Sequence, residues 1–133
     1  MIVLSMKKNI FARICNEIKI IILVLQGKYK EGDLLPVETE LDYWHNQGCK
    51  YLWKKKYRKA EALFKKMTEF APEDYLGYQR LGDVYKDLGD KKEARRYYGQ
   101  ALQNVEKIKK KYPKYVSPEC IEEIRQELLA LRG

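Results

Sequence analysis

Two stretches of this 133-residue chain match each other at a constant offset of 34 residues, with no insertion in either copy. The matched positions hold aromatic residues, glycines and alanines: Trp44 with Tyr78, Gly48 with Gly82, Tyr51 with Tyr85, Ala60 with Ala94, and Phe64 with Tyr98. A self-match at a fixed period of this length is the signature of a repeat architecture, in which each unit buries its apolar face against the next. The offset therefore predicts a stack of helical repeats.

The two copies, residues 41–74 and 75–108, resemble the tetratricopeptide repeat, a helix–turn–helix unit of this length. The resemblance implies an all-α fold, a right-handed superhelical stack of antiparallel helix pairs. In such a stack the glycines let paired helices approach, and aromatic rings fill the space between units. The copies depart from the family pattern at Gln47, which replaces a leucine, and at Glu106, which stands where the first copy has Pro72.

Two repeats fall short of the number that usually makes a stable stack, so helices on either side must supply the missing burial. Apolar residues recur at three- and four-residue steps over residues 9–26, which predicts an N-terminal helix with little polar face in its second half. Ser117 and Pro118 are typical of a helix start, and residues 117–132 predict a capping helix with a polar outer face. We expect an N-terminal helical extension over residues 1–35 and a repeat domain over residues 36–133.

The apolar surface of the N-terminal helix exceeds what one neighbouring helix would cover, which predicts self-association or docking of a partner. The residues concerned are Phe11, Ile14, Ile18, Ile21, Ile22 and Leu25. No apolar run approaches the roughly 20 residues of a membrane-spanning helix. Charged residues interrupt the apolar stretch, so we expect a segment of the mature protein rather than a signal peptide.

In tetratricopeptide stacks the first helix of each pair lines a concave groove, and the resemblance implies that a peptide or helix of another protein binds there. The groove positions in this chain are Asp42, His45, Cys49, Leu52, Trp53, Leu76, Gln79, Asp83 and Lys86. One subclass of the family grips the C-terminal carboxylate of heat-shock chaperones with lysine, asparagine and arginine. The corresponding positions here hold His45, Cys49 and Arg80, so we predict that the ligand is not a chaperone tail.

No catalytic, cofactor or metal site is predicted. Asp42, His45 and Cys49 share one helix face and are metal-ligand types, but the sequence offers no obvious fourth ligand. His45 and Cys49 could also pair as base and nucleophile. We expect them to project in parallel from one helix, which is poor geometry for proton transfer. With no glycine-rich phosphate loop either, a non-catalytic scaffold is the expectation.

The formal net charge is +8, and basic residues cluster at equivalent turns of the two repeats, which should lie along one edge of the stack. They are Lys54, Lys55, Lys56, Arg58, Lys59, Lys91, Lys92, Arg95 and Arg96. This edge offers an alternative function, a basic adaptor that contacts nucleic acid or another polyanion. Acidic residues in the same segments and the lack of a base-stacking motif favour a solvated rim.

The three cysteines, Cys15, Cys49 and Cys120, are odd in number and include no Cys-x-x-Cys pair. No disulfide framework is therefore predicted. A reducing compartment follows from that pattern, and we expect a cytoplasmic location.

Residues 25–41, LQGKYKEGDLLPVETEL, are similar to a loop of gluconate-repressor-type winged-helix regulators. In those regulators the loop leads into a recognition helix that enters the major groove of DNA. Here the chain runs from Leu41 directly into the first repeat. We therefore expect no winged-helix DNA-binding domain.

Overall fold

The computed structural model describes residues 2–27 and 39–132. This described part is all-helical, without a strand, and its helices are α1 (Ile2–Leu25), α2 (Glu40–Trp53), α3 (Tyr57–Phe70), α4 (Leu76–Asp87), α5 (Lys91–Lys111) and α6 (Pro118–Ala130). The chain divides into two compact units, Met1–Asp42 and Tyr43–Gly133. The predicted domain boundary at residues 35 and 36, and most of the loop similar to winged-helix regulators, lie outside the described residues.

The N-terminal helix α1 begins at Ile2 rather than at Asn9, and it ends before Gly27, whose φ of 63° is typical of a helix stop. All six side chains predicted to mediate self-association are exposed, with Phe11 at 67% and Leu25 at 81%. Among the described residues, no helix has the length and apolarity needed to span a membrane.

Helix α2 begins at Glu40 and is started by a reciprocal capping box. The Thr39 hydroxyl accepts a hydrogen bond from the Asp42 backbone N–H, and the Asp42 carboxylate accepts one from the Thr39 N–H, both over 3.1 Å. The Asp42 carboxylate, predicted to lie in the groove, therefore stabilises the start of the helix.

The helix pairs α2–α3 and α4–α5 repeat the same close contact. In the first pair a methyl group on Gly48 would overlap the ring of Phe64, and in the second a methyl group on Gly82 would lie 2.7 Å from Tyr98. Both rings are completely buried. The predicted role of the two glycines, close approach of paired helices, is thus confirmed.

The turns that join the paired helices also have the same backbone conformation. The middle residue of each three-residue turn has a left-handed φ: 59° at Lys55 and 81° at Gly89. The next residue, Lys56 or Asp90, donates its N–H to the carbonyl five positions earlier, over 2.8 Å and 2.9 Å respectively. Each is a Schellman turn, which satisfies carbonyls left open at the helix end. Arg58 and Lys59, expected at the first turn, lie instead in the first turn of α3, because α3 begins at Tyr57.

The main core lies where α6 packs on the second repeat. Its buried members are Ala94, Tyr98, Ala101, Val105, Val116, Ile121, Ile124 and Leu131. The stripe expected for α6, Ile121, Ile124, Leu128 and Leu131, packs here, with Leu128 half-buried and the other three buried. Glu122 and Glu123 on the other face are exposed. Pro118 is in the first turn of α6, as expected, but the Ser117 hydroxyl approaches Cys120 Sγ (3.5 Å) and does not cap the helix.

Candidate functional site: the groove between α2 and α4

A groove of about 470 Å³ lies between α2 and α4, the first helices of the two repeats. It is lined by Cys49, Leu52, Trp53, Lys55, Arg80 and Asp87. The first three were predicted as groove residues. Of the others, Arg80 was considered only as a clamp position and Lys55 only as part of the basic edge, and Asp87 was missed. Lys55 was not expected to line the groove because it belongs to the turn after α2, outside the helix face to which the family pattern assigns ligand contacts.

Trp53 gives this groove its most exposed apolar wall. Its side chain is 88% exposed, more than any other large hydrophobic residue among those described. A tryptophan left in water forgoes the hydrophobic stabilisation that a ring of this size gains on burial. Leu52 lies beside it and is half-buried. This wall offers the kind of surface on which an apolar ligand side chain can be buried.

A polar network centred on Arg80 connects the two repeats. Arg80 on α4 donates from Nε to His45 Nε2 on α2 (3.1 Å) and from Nη1 to Asp83 (2.8 Å). The other oxygen of Asp83 accepts a hydrogen bond from the Tyr98 hydroxyl on α5. The network holds the Arg80 guanidinium in one orientation, so the cationic wall of the groove is preorganised.

Burial and hydrogen bonding set the charge states in this network. Burial raises the pKa of Tyr98 well above its ordinary value, and the hydrogen bond to Asp83 raises it further, so the phenol stays protonated and donates. Burial lowers the pKa of Arg80, but the bond and charge of Asp83 outweigh burial and raise it overall. Arg80 is therefore a permanent cation, and His45 accepts its hydrogen bond as a neutral imidazole.

Cys49 and His45 lie closer together than predicted. The expectation that the two side chains project in parallel was wrong, because Cys49 Sγ is 3.5 Å from His45 Nε2. They are four residues apart and so occupy neighbouring positions on one helix face. Burial raises the pKa of the Cys49 thiol, and nearby Arg80 only partly offsets the effect. Cys49 is thus held as a thiol, which is a poor nucleophile.

The remaining predicted groove residues are less available to a ligand. Gln79 is only 6% exposed, and Leu76 is half-buried. Lys86 donates to Glu127 on α6 over 2.9 Å, which ties this end of α4 to the C-terminal helix. The open part of the groove therefore lies towards Trp53 and the turn that follows it.

The predicted basic edge differs between its two halves. In the second repeat Arg96 pairs with Glu93 (2.8 Å) and lies 4.2 Å from the Tyr97 ring centroid, while Arg95 donates to the Leu131 carbonyl (3.2 Å). In the first repeat, Lys59 lies 5.5 Å from the Tyr51 ring centroid. The arginines of the second repeat are therefore engaged in contacts within the fold.

The part of the chain that the structure describes contains no group of three or more His, Cys, Asp or Glu side chains arranged to hold a metal ion. None of the three cysteines forms a disulfide. The groove is lined by apolar, cationic and anionic side chains.

The comparisons with known proteins agree with this geometry. Residues 75–107, which span α4 and most of α5, match the family model of the tetratricopeptide repeat. This match and the all-helical structure of the described residues support the predicted all-α helical-repeat protein that contains a tetratricopeptide repeat. Repeats of this family are generally non-catalytic protein–protein interaction modules. No curated protein and no solved structure matches the chain.

Proposed function

We propose that this chain is a non-catalytic scaffold that holds a peptide or a helix of another protein in the groove between α2 and α4. The observation that carries the proposal is the 88% exposed Trp53 on the wall of a groove of about 470 Å³. Exposed tryptophans are among the side chains that contribute most to protein interfaces. The match to the tetratricopeptide repeat supports the same function, because repeats of this family are protein–protein interaction modules.

The side chains around the groove suggest how a ligand is held. Trp53 and Leu52 bury an apolar side chain of the ligand, while the fixed guanidinium of Arg80 orients a carbonyl or carboxylate beside it. Asp87, on the α4 side of the groove, accepts a hydrogen bond from a backbone or side-chain donor of the ligand. The protein partner is expected in the cytoplasm, a proposal supported by the three reduced cysteines.

The exposed face of α1 supports a second element of the proposal, self-association with another copy of the chain. Phe11, Ile14 and Ile18 are each at least half exposed on this face. We expect light scattering to report a dimer or larger species, and Phe11→Glu together with Ile18→Glu to give a monomer. A monomeric wild-type chain would refute self-association and leave the proposal for the groove unaffected.

The groove is tested by selecting peptides from a random peptide library displayed on phage. Selected peptides are then compared for binding to the wild-type chain, to Trp53→Ala and to Tyr115→Ala. Tyr115 is a matched control because its ring is 86% exposed but lies outside the groove. We expect Trp53→Ala to lose most of the binding, since truncated interface hot spots typically cost more than about tenfold, and Tyr115→Ala to retain it.

The basic-adaptor alternative predicts a different dependence of binding affinity on salt concentration. Binding through phosphate contacts weakens steeply as the salt concentration rises, whereas an apolar groove contact changes little. Peptides that bind equally well to Trp53→Ala would refute the groove. Salt-sensitive binding of a labelled oligonucleotide, lost when Lys54 and Lys56 are changed to glutamine, would favour the alternative.

A further inference from the structure

We infer that the lysine turn after α2, residues 54–56, is a binding element that recognises an acidic stretch flanking the apolar anchor of the groove ligand. This inference rests on the proposed peptide-binding function. Its basis is that three features of this turn oppose local folding, and that the equivalent turn of the second repeat lacks each of them.

The first feature is the backbone of Lys55. Its φ of 59° is left-handed, a conformation that costs free energy for any residue with a Cβ. The equivalent residue of the second repeat is Gly89, with φ 81° and the same turn hydrogen bonds. Glycine adopts this conformation without a steric penalty. The first repeat thus keeps a lysine at a position where its own fold favours glycine.

The second feature is the cap of the following helix. Lys56 occupies the N-cap of α3 and makes no side-chain capping bond. At the equivalent position Asp90 caps α5 by accepting from the Glu93 N–H over 3.1 Å. Aspartate is among the best N-cap residues, and a lysine cannot accept the bond at all.

The third feature is the charge at the start of α3. Its first turn holds Arg58 and Lys59 and no acidic residue, although the positive end of the helix dipole disfavours cations there. Residues 54–59 carry five basic and no acidic side chains, whereas the equivalent residues 88–93 carry two of each. Only Lys54, beside the C-terminus of α2, has a favourable place relative to a helix dipole.

The position of the turn connects these features to the groove. Lys55 lines the groove together with Trp53, the residue two positions before it. The other cation in the groove, Arg80, is bound to Asp83 and His45. A ligand whose apolar side chain lies on Trp53 therefore places its neighbouring residues over the lysine turn. Carboxylates are the groups that complement the three cations of the lysine turn.

Peptides selected on the wild-type chain test the inference in two ways. First, we expect aspartate and glutamate to be enriched beside an aromatic or aliphatic position. Second, changing Lys54, Lys55 and Lys56 together to glutamine should weaken these peptides about tenfold, the effect of three exposed charge pairs. The matched control removes the same charge at the far end of α5, where Lys107, Lys110 and Lys111 are exposed, and should leave binding within about twofold.

The variant Lys55→Gly separates binding from folding. It removes a cation and also relieves the left-handed backbone, so we expect a higher urea midpoint together with weaker binding of the acidic peptides. Weaker binding by a more stable protein cannot be attributed to unfolding. Equal binding by that variant, or a midpoint that does not rise, would overturn the inference.

The outcomes also distinguish this inference from the proposed function. Peptides with an apolar anchor but no acidic enrichment, bound in a Trp53-dependent manner, would refute the role of the lysine turn and leave the groove intact. Peptides that bind Trp53→Ala as tightly as the wild-type chain would refute the groove itself. If the acidic peptides lose as much affinity for the α5 control variant as for the lysine-turn variant, they are attracted by net charge alone, which also refutes the inference.

Discussion

In the second repeat the Tyr98 hydroxyl donates to Asp83, whereas the equivalent positions of the first repeat hold Phe64 and Cys49. The two rings occupy the same place beside a glycine, and both are completely buried. The substitutions are matched, since the repeat that lacks the hydroxyl also lacks the carboxylate. The second repeat has gained an internal polar contact where the first leaves Cys49 on the wall of the groove.

The difference extends to a second pair of equivalent positions, in α3 and α5. Phe70 at the end of α3 is 59% exposed, whereas the equivalent Asn104 in α5 is 4% exposed. The Asn104 amide donates to the carbonyls of Pro72 (3.0 Å) and Asp74 (2.7 Å), which fastens the loop between the repeats. The second repeat is thus built for local stability, and the family model matches this repeat. The first repeat departs from the pattern mainly where it forms the groove.

Truncating the buried rings gives the largest expected effect. Phe64→Ala and Tyr98→Ala each remove a fully buried ring, which costs about 3–5 kcal/mol of unfolding free energy. We expect Tyr98→Ala to cost more, because it also removes a hydrogen bond to Asp83. Urea unfolding followed by circular dichroism measures both. Equal or reversed losses would mean that the polar contact adds nothing to the second repeat.

Exchanging the hydroxyl between the repeats has a smaller effect. Tyr98→Phe should cost about 1.5–3 kcal/mol, because a hydrogen bond to a charged acceptor is lost and the ring stays. Phe64→Tyr should also destabilise, since a hydroxyl is buried beside Cys49, and adding Cys49→Asp should restore part of the loss. A double-mutant cycle of Phe64→Tyr and Cys49→Asp measures this coupling. Additive effects would show that the matched pair is coincidental.

Exchanging the left-handed residues of the turns should change stability by about 1 kcal/mol in opposite directions. Lys55→Gly should stabilise the protein, and Gly89→Ala should destabilise it, because only glycine adopts this φ without strain. Thermal unfolding of the two variants side by side provides the measurement. A destabilising Lys55→Gly would mean that the lysine side chain makes a contact that outweighs its backbone cost.

Exchanging the helix caps has the smallest expected effect. Lys56→Asp should stabilise the protein by about 0.5–1 kcal/mol by supplying a cap to α3, and Asp90→Ala should lose a similar amount from α5. Chemical denaturation resolves changes of this size when the midpoints are compared at a constant m-value. If Lys56→Asp does not raise the free energy of unfolding, one of the three observations that connect the lysine turn to binding is lost.

The features that could be predicted from the sequence are those repeated in it. The close approach at Gly48 and Gly82 recurs with the repeat period, and the stripe of Ile121, Ile124, Leu128 and Leu131 recurs with the helical period, so both were predicted correctly. Burial of one helix face is a property of local spacing, and it needs no knowledge of the distant parts of the chain.

The features that could not be predicted depend on which residues meet across the stack. The Lys86–Glu127 pair joins residues 41 positions apart and requires the position of α6 to be known. The burial of Gln79 and the bond from Arg80 to His45 likewise arise from neighbouring helices. The left-handed Lys55 was missed for a different reason. Lysine is not a residue that signals this conformation, and only its alignment with Gly89 in the second repeat reveals it.

The fluorescence of Trp53 provides the most direct test of the central claim, that the groove between α2 and α4 binds the ligand. The chain has two tryptophans, so Trp44→Phe leaves Trp53 as the single reporter. On titration with a selected peptide, we predict a blue shift of its emission and protection from acrylamide quenching, because a bound ligand removes the exposed indole from water. A peptide that binds by anisotropy while the Trp53 emission and its quenching stay unchanged would contradict the account.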